Sequence, residues 1–154
     1  MRTLIGLISI LLCCTQALAA DFRWTIGFGQ GTFEAIVRNA DDSSVNIYCP
    51  QGQNDTTPGM FIDSKKIQPR AGEQIAVQIV VDGKNYPFYF GEDQFQARGR
   101  ANRQSLHSLI DALVKSTGRH FVVEYPKFGT SEQFSLLGAR EAFKSANDFL
   151  DGCE

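Results

Sequence analysis

The strongest constraint on this chain lies between Gln74 and Phe90, where side chains alternate on both sides of one turn. Ile75, Val77, Ile79 and Val81 alternate with mostly polar positions, and Tyr86, Phe88 and Phe90 alternate on the return. Between them Asp82-Gly83 supplies the residue pair that a type I′ turn requires. Counting outward from that turn pairs Val81 with Lys84, Ile79 with Tyr86, Val77 with Phe88 and Ile75 with Phe90. The three aromatic–aliphatic pairs share one face, each contributing about 0.2–1 kcal/mol beyond an alanine pair. A chain with this hairpin is committed to an antiparallel sheet with one apolar face. Pro87 falls opposite Gln78 with no N–H to donate, which puts the return strand at an edge or leaves its Pro87 side unpaired.

Shorter strands are expected upstream, at Phe22-Arg23-Trp24-Thr25-Ile26, Phe33 to Arg38 and Val45 to Cys49, separated by Gly-rich and Asp/Ser-rich turns. Gly27-Phe28-Gly29-Gln30-Gly31 reads as such a turn, since no Lys-Ser/Thr follows to make it a phosphate loop. Pro50 to Gly59 is polar, with two prolines and two glycines, and reads as a long loop. Beyond the hairpin the period changes. Leu106, Leu109, Ile110 and Leu113 mark an amphipathic helix near 102–117, with Asn102 as its cap and Gly118 as its end. Two more strands follow, His120 to Tyr125 and Gln133 to Leu137. Ala139, Ala142, Phe143, Ala146, Phe149 and Leu150 form the stripe of a last helix near 138–150. The expected fold class is α+β, a mostly antiparallel β-sandwich or curled sheet with two helices packed on it.

Residues 1–20 read as a cleaved signal peptide. Arg2 precedes an apolar run from Leu4 to Leu12, and Ala17-Leu18-Ala19 is a small-x-small cleavage signal. Release is favoured over a lipid anchor, because Leu12 and Cys13 rather than small residues precede Cys13 and Cys14. The mature chain, 21–154, is then one β-rich domain, periplasmic or secreted, with no segment approaching the roughly 18 apolar residues of a transmembrane helix. Losing Arg2 leaves 14 of the 15 Lys and Arg against 17 Asp and Glu, a net charge near −3, which disfavours a nucleic-acid partner. Cys49 and Cys153 remain, and two thiols in an exported chain most simply form one disulfide. An intermolecular bridge or two free thiols are the alternatives. Asn54-Asp55-Thr56 also fits an N-glycosylation pattern, which has meaning only in a eukaryotic secretory pathway.

Catalytic chemistry is hard to place. His107 and His120 are the only imidazoles and stand in no metal-binding spacing. Ser105 and Ser108 flank His107 without a nucleophile elbow. Asp41-Asp42 and Glu92-Asp93 read as solvated turn acids, with calcium as the alternative. No cofactor is expected. The charged feature that stands out is Arg98, Arg100 and Arg103, between the hairpin and the helix, with Lys65, Lys66 and Arg70 in another connection. If the two groups adjoin, they suit an anionic partner such as an acidic glycan, a lipid headgroup or an acidic protein face. Gln53, Asn54 and Asp55, in the Pro50 to Gly59 loop, are the other candidate partner contacts.

Several landmarks follow one order: Gly59-Met60-Phe61-Ile62, Gly72 to Asp82-Gly83 with its aromatic return, the Leu106 to Leu113 helix with Gly118, Phe121 to Tyr125, and Phe134-Ser135-Leu136-Leu137-Gly138-Ala139. In this order the chain resembles the invasion-associated locus B family of exported bacterial proteins. The resemblance implies a β-sandwich envelope protein without catalytic apparatus, in some members linked to host-cell colonisation. Where members often carry a close cysteine pair after the hairpin, this chain has Gly91-Glu92-Asp93-Gln94-Phe95-Gln96.

The expected function is therefore a non-enzymatic interaction protein of a bacterial envelope, associated with virulence or host interaction and partnered by another protein. An inhibitor or immunity protein that neutralises a cell-wall hydrolase or secreted toxin is the alternative. A hydrolase with an unfamiliar site is the third class.

Overall fold

The computed structural model describes residues 22–51, 56–91 and 94–153, so residues 1–20, where a signal peptide is expected, and the tip of the Pro50 to Gly59 loop lie outside the described residues. The chain runs β1 (Thr25–Gly29), β2 (Thr32–Arg38), β3 (Ser44–Pro50), β4 (Gly59–Asp63), β5 (Gln74–Val81), β6 (Lys84–Gly91), β7 (Gln94–Gln96), α1 (Gly99–Lys115), β8 (His120–Tyr125), β9 (Thr130–Ser135), α2 (Ala139–Phe143) and α3 (Ala146–Asp151). A single 3-10 turn, Pro126–Phe128, joins β8 to β9. All nine strands pair antiparallel in one sheet, in the order β1-β2-β3-β4-β7-β6-β5-β8-β9.

The fold is α+β, and of the two expected arrangements it takes the curled sheet. Curling brings the ends of the strand order together at one corner. There the Trp24 N–H, just before β1, donates to the Leu137 carbonyl just after β9, at 2.8 Å. Among the described residues no ladder joins β1 to β9, so the sheet stays open.

Alternation dictates which face is buried. Ala35 and Val37, Val45 and Ile47, Met60 and Ile62, Ile75 to Val81 at every second position, Phe88 and Phe90, and Phe121 to Tyr125 at every second position all lie in one core. The helices close over this concave face through Leu106, Leu109, Ile110 and Leu113 of α1 and through Ala139, Ala142, Phe143, Ala146, Phe149 and Leu150 of the last segment. Rings lock the two layers: Trp24 meets Phe143 edge-on at 4.9 Å, and Phe33 meets Phe149 at 5.4 Å.

The central hairpin has the register counted from its turn, including Ile79 with Tyr86 and Gln78 with Pro87. Asp82 and Gly83 both have positive φ, 48° and 75°, as a type I′ turn demands. Strand β6 is not an edge. It meets β7 only at Gly91 and Gln94, so the Pro87 side carries no ladder bond, the second of the two arrangements that proline allowed.

Five expectations are corrected, the first being that β9 spans Thr130–Ser135 rather than Gln133 to Leu137, its register set by pairing with β8 after the Pro126–Phe128 turn. Strand β1 spans Thr25–Gly29 rather than starting at Phe22, because only Gln30-Gly31 turns, with φ of 50° and 76°, while Gly27 and Gly29 remain in the strand. Strands β4 and β7 are additional. Helix α1 starts at Gly99 after Arg98, so Asn102 lies inside it and caps nothing, and it ends at Lys115, before Gly118. The last helix is broken in two: Lys144 has φ 55°, and Ser145 turns extended and caps α3 by accepting the Asp148 N–H at 3.0 Å.

Cys49 and Cys153 are joined in a disulfide with Cα atoms 4.9 Å apart across 104 residues of sequence. It fastens the end of α3 to β3.

Candidate functional site

The sequence β6, β7, α1 makes a sharp fold. Strand β7 pairs with β4, Gly59 opposite Gln96, and the chain then turns into α1. The Ala97 N–H donates to the Pro58 carbonyl at 2.9 Å and the Arg98 N–H to the Gln96 carbonyl at 2.8 Å. Those two bonds set the first turn of α1 beside β6 and leave a cleft of about 410 Å3 between them, lined by Tyr89, Gln94, Gln96, Arg98, Asn102 and Ser105 among others. Tyr89 is 65% exposed.

The electrostatics of this end are lopsided. Arg98 occupies the N-cap position with no side-chain capping bond, and the first turn of α1 holds no acidic residue. The free N–H groups and the helix dipole make this end positive, and Arg98, Arg100 and Arg103 add three exposed cations to it. Neither Arg98 nor Arg100 pairs with a carboxylate among the described residues, whereas Arg103 has a partner. The arrangement favours an anion bounded by amide and aromatic surface.

The structure sets the described end of one candidate loop beside the arginines and separates the lysines from them. Pro58 holds the descending end of the Pro50 to Gly59 loop against Ala97, next to Arg98. Gln53, Asn54 and Asp55 themselves lie outside the described residues. Lys65 and Lys66 follow the far end of β4 from Gly59, so they do not adjoin the arginines, and they are already neutralised: Lys65 by Asp63 at 2.6 Å and Lys66 by Asp41 at 3.3 Å. The two turn acids Asp41 and Asp42 diverge, Asp42 pairing with Arg38 at 3.3 Å. Glu92 and Asp93 lie outside the described residues.

The histidines are used differently. His107 Nε2 lies 2.7 Å from Asn147 Oδ1, tying α1 to α3. The neighbouring hydroxyls bond within α1, Ser105 donating to the Ala101 carbonyl at 3.1 Å and Ser108 accepting from Gln104 at 3.5 Å. His120 is exposed at the start of β8, on the rim of a second cleft of about 580 Å3 that Arg119, Leu137, Arg140 and Glu141 also line. Sequence reasoning missed this cleft, because its walls come from separate elements and its charges are mixed.

It also missed a polar knot in the core. Glu132, 1% exposed, accepts from Ser43 Oγ at 2.5 Å and from the Tyr125 hydroxyl at 2.8 Å, while Ser43 Oγ accepts the Lys65 N–H at 2.9 Å. Burial above all pushes the Tyr125 phenol far above its ordinary range; a hydrogen bond from Ser64 opposes it, and the hydrogen bond and charge of Glu132 and the charge of Asp63 add to it. The signal was present in parity alone: Glu132 shares a strand face with Phe134.

Fold and cleft together define an α+β protein built on one curled, open antiparallel sheet, with a cleft beside Arg98 where the sheet hands over to its long helix. The chain belongs to the YfjT family, whose model matches residues 22–143, from the approach to β1 through α2. No curated protein and no solved structure matches the chain. Among the described residues no helix is long and apolar enough to cross a membrane.

Proposed function

We propose that this chain is a non-enzymatic interaction protein of a bacterial envelope, exported to the periplasm or beyond, which docks an acidic face of a partner protein on the cleft beside Arg98. The resemblance to the invasion-associated locus B proteins supports a role in the envelope or at the host surface. The observation that carries the reading is the pair Arg98 and Arg100 at an uncapped helix start, next to a cleft walled by Tyr89, Gln94 and Asn102. Exposed arginines of this kind speed and orient association with an acidic surface.

Affinity capture from envelope extracts with mature protein and with an Arg98→Glu/Arg100→Glu variant tests the reading. The expected result is a partner retained by the wild type at low salt and lost from the variant, whose thermal unfolding is unchanged. Equal capture by both would remove the arginines as the site. Recovery of a single hydrolase or toxin, inhibited in stoichiometric complex, would replace the envelope role by that of an inhibitor or immunity protein.

A further inference from the structure

The two edges of the sheet are finished differently. Along β9 the main chain is partly covered: the Lys66 ammonium reaches the Ser131 carbonyl at 3.4 Å, and just beyond the strand the Leu137 carbonyl takes the Trp24 N–H. Among the described residues strand β1 has no such cover beyond that same Trp24 bond just before its start. From Thr25 to Thr32 the chain carries no charge and no proline, and no described residue bonds the outward main chain of Ile26 or Phe28. Natural proteins commonly blunt open edges with charge, proline or a cover.

Register identifies which groups are free. The two-residue turn makes Gly29 and Thr32 the first bonded pair, so Gly27 and Thr25 also direct their N–H and C=O toward β2. Ile26 and Phe28 direct theirs outward, in phase with Trp24, whose N–H bonds outward to Leu137. Their side chains stand on the inner face, since Ile26 pairs with buried Ala35 and Phe28 with Phe33, which packs on Phe149. The helical layer stops at α3, and Ile26 and Phe28 remain 50% and 69% exposed.

We infer that β1 is a self-pairing edge: two copies of this chain join their sheets antiparallel about a two-fold axis at Gly27. In that register Ile26 of each copy faces Phe28 of its partner, their outward N–H and C=O groups exchange four hydrogen bonds, and each aliphatic side chain meets an aromatic one. Gly27 meets Gly27, where an added Cβ would touch nothing within 4 Å in the single chain. A second copy fits because an isologous contact needs a self-complementary patch, and an uncharged strand with apolar residues placed evenly about a central glycine is one. Five residues make an edge of roughly 17 Å, well short of a standard interface, so the dimer is reversible and concentration-dependent.

Cysteine placement tests both the dimer and its register. In mature protein under mild oxidation, Gly27→Cys puts two sulfurs at the axis. Gly29→Cys is equally open but lies about 13 Å from its own copy, beyond disulfide reach. The expected result is about tenfold or more linked dimer from Gly27→Cys than from Gly29→Cys. Sedimentation should show a dimer forming with rising concentration in the wild type, absent from Ile26→Lys/Phe28→Lys, whose thermal unfolding stays cooperative. Amide exchange adds a readout without mutation: Ile26 and Phe28 become protected as concentration rises, while Gly27 is protected throughout. A monomer at every concentration, or equal cross-linking at both glycines, overturns the inference.

Discussion

Tyr125 donates its hydroxyl to Glu132 across the β8–β9 hairpin at 2.8 Å, and both residues are buried. The sheet thus carries a polar pair through its apolar face, completed by Ser43 from the β2–β3 turn. Folding raises the Tyr125 pKa above the unfolded value near 10, chiefly by burial. Its contribution to stability is therefore fully present below about pH 10 and is lost as pH rises toward the folded value, at up to about 1.4 kcal/mol per pH unit. Denaturant unfolding between pH 9 and about pH 11 should show this slope in the wild type and a shallower one in Tyr125→Phe. At neutral pH the same variant should lose about 1–3 kcal/mol, because Glu132 is left one donor short.

Removal of the Cys49–Cys153 bridge by Cys49→Ser/Cys153→Ser should cost about 2–5 kcal/mol, since the bridge closes a loop with a separation of 104 residues. Urea midpoints of the variant and of the oxidised wild type measure it. Both cysteines are buried, so reductant should act slowly on the native protein and quickly once it is unfolded.

Gly59→Ala should destabilise by about 1–3 kcal/mol. A Cβ there would lie 2.5 Å from the Phe95 carbonyl and would strike the Tyr48 ring, which covers Gly59 from the neighbouring strand and stacks on Phe61 at 4.8 Å. Thermal unfolding of this variant checks the packing of the β3–β4–β7 region directly.

Ser145→Ala should cost about 0.5–2 kcal/mol by uncapping α3 at the Asp148 N–H. Amide exchange should rise first in Ala146–Asp151, while α1 remains protected.

Much of this architecture was legible because local chemistry and tertiary structure agree. Asp82-Gly83 fixes both the turn and the parity of Ile75 to Phe90, and Leu106 to Leu113 can bury one stripe only as a helix. Strands β4 and β7 were not legible as strands: five and three residues acquire their pairing from β3 and from each other, not from a pattern of their own. The break at Lys144 hid behind a stripe from Ala139 to Leu150 that keeps its period across two helices, although Ser145 and Asp148 carry the spacing of a cap. Of the cleft, the arginines were visible as a run. Tyr89, Gln94 and Asn102 were not, because three elements bring them together and no spacing in the chain encodes that meeting.

The proposed docking of a partner at the Arg98 cleft is tested most directly by an amide NMR titration of labelled residues 21–154 with the protein captured. The expected result is shifts concentrated at Tyr89, Gln94–Gln96 and Arg98–Asn102, weakened by salt and abolished in Arg98→Glu/Arg100→Glu. Shifts confined to the cleft of Arg119, His120 and Leu137, with the arginine segment unmoved, would contradict it.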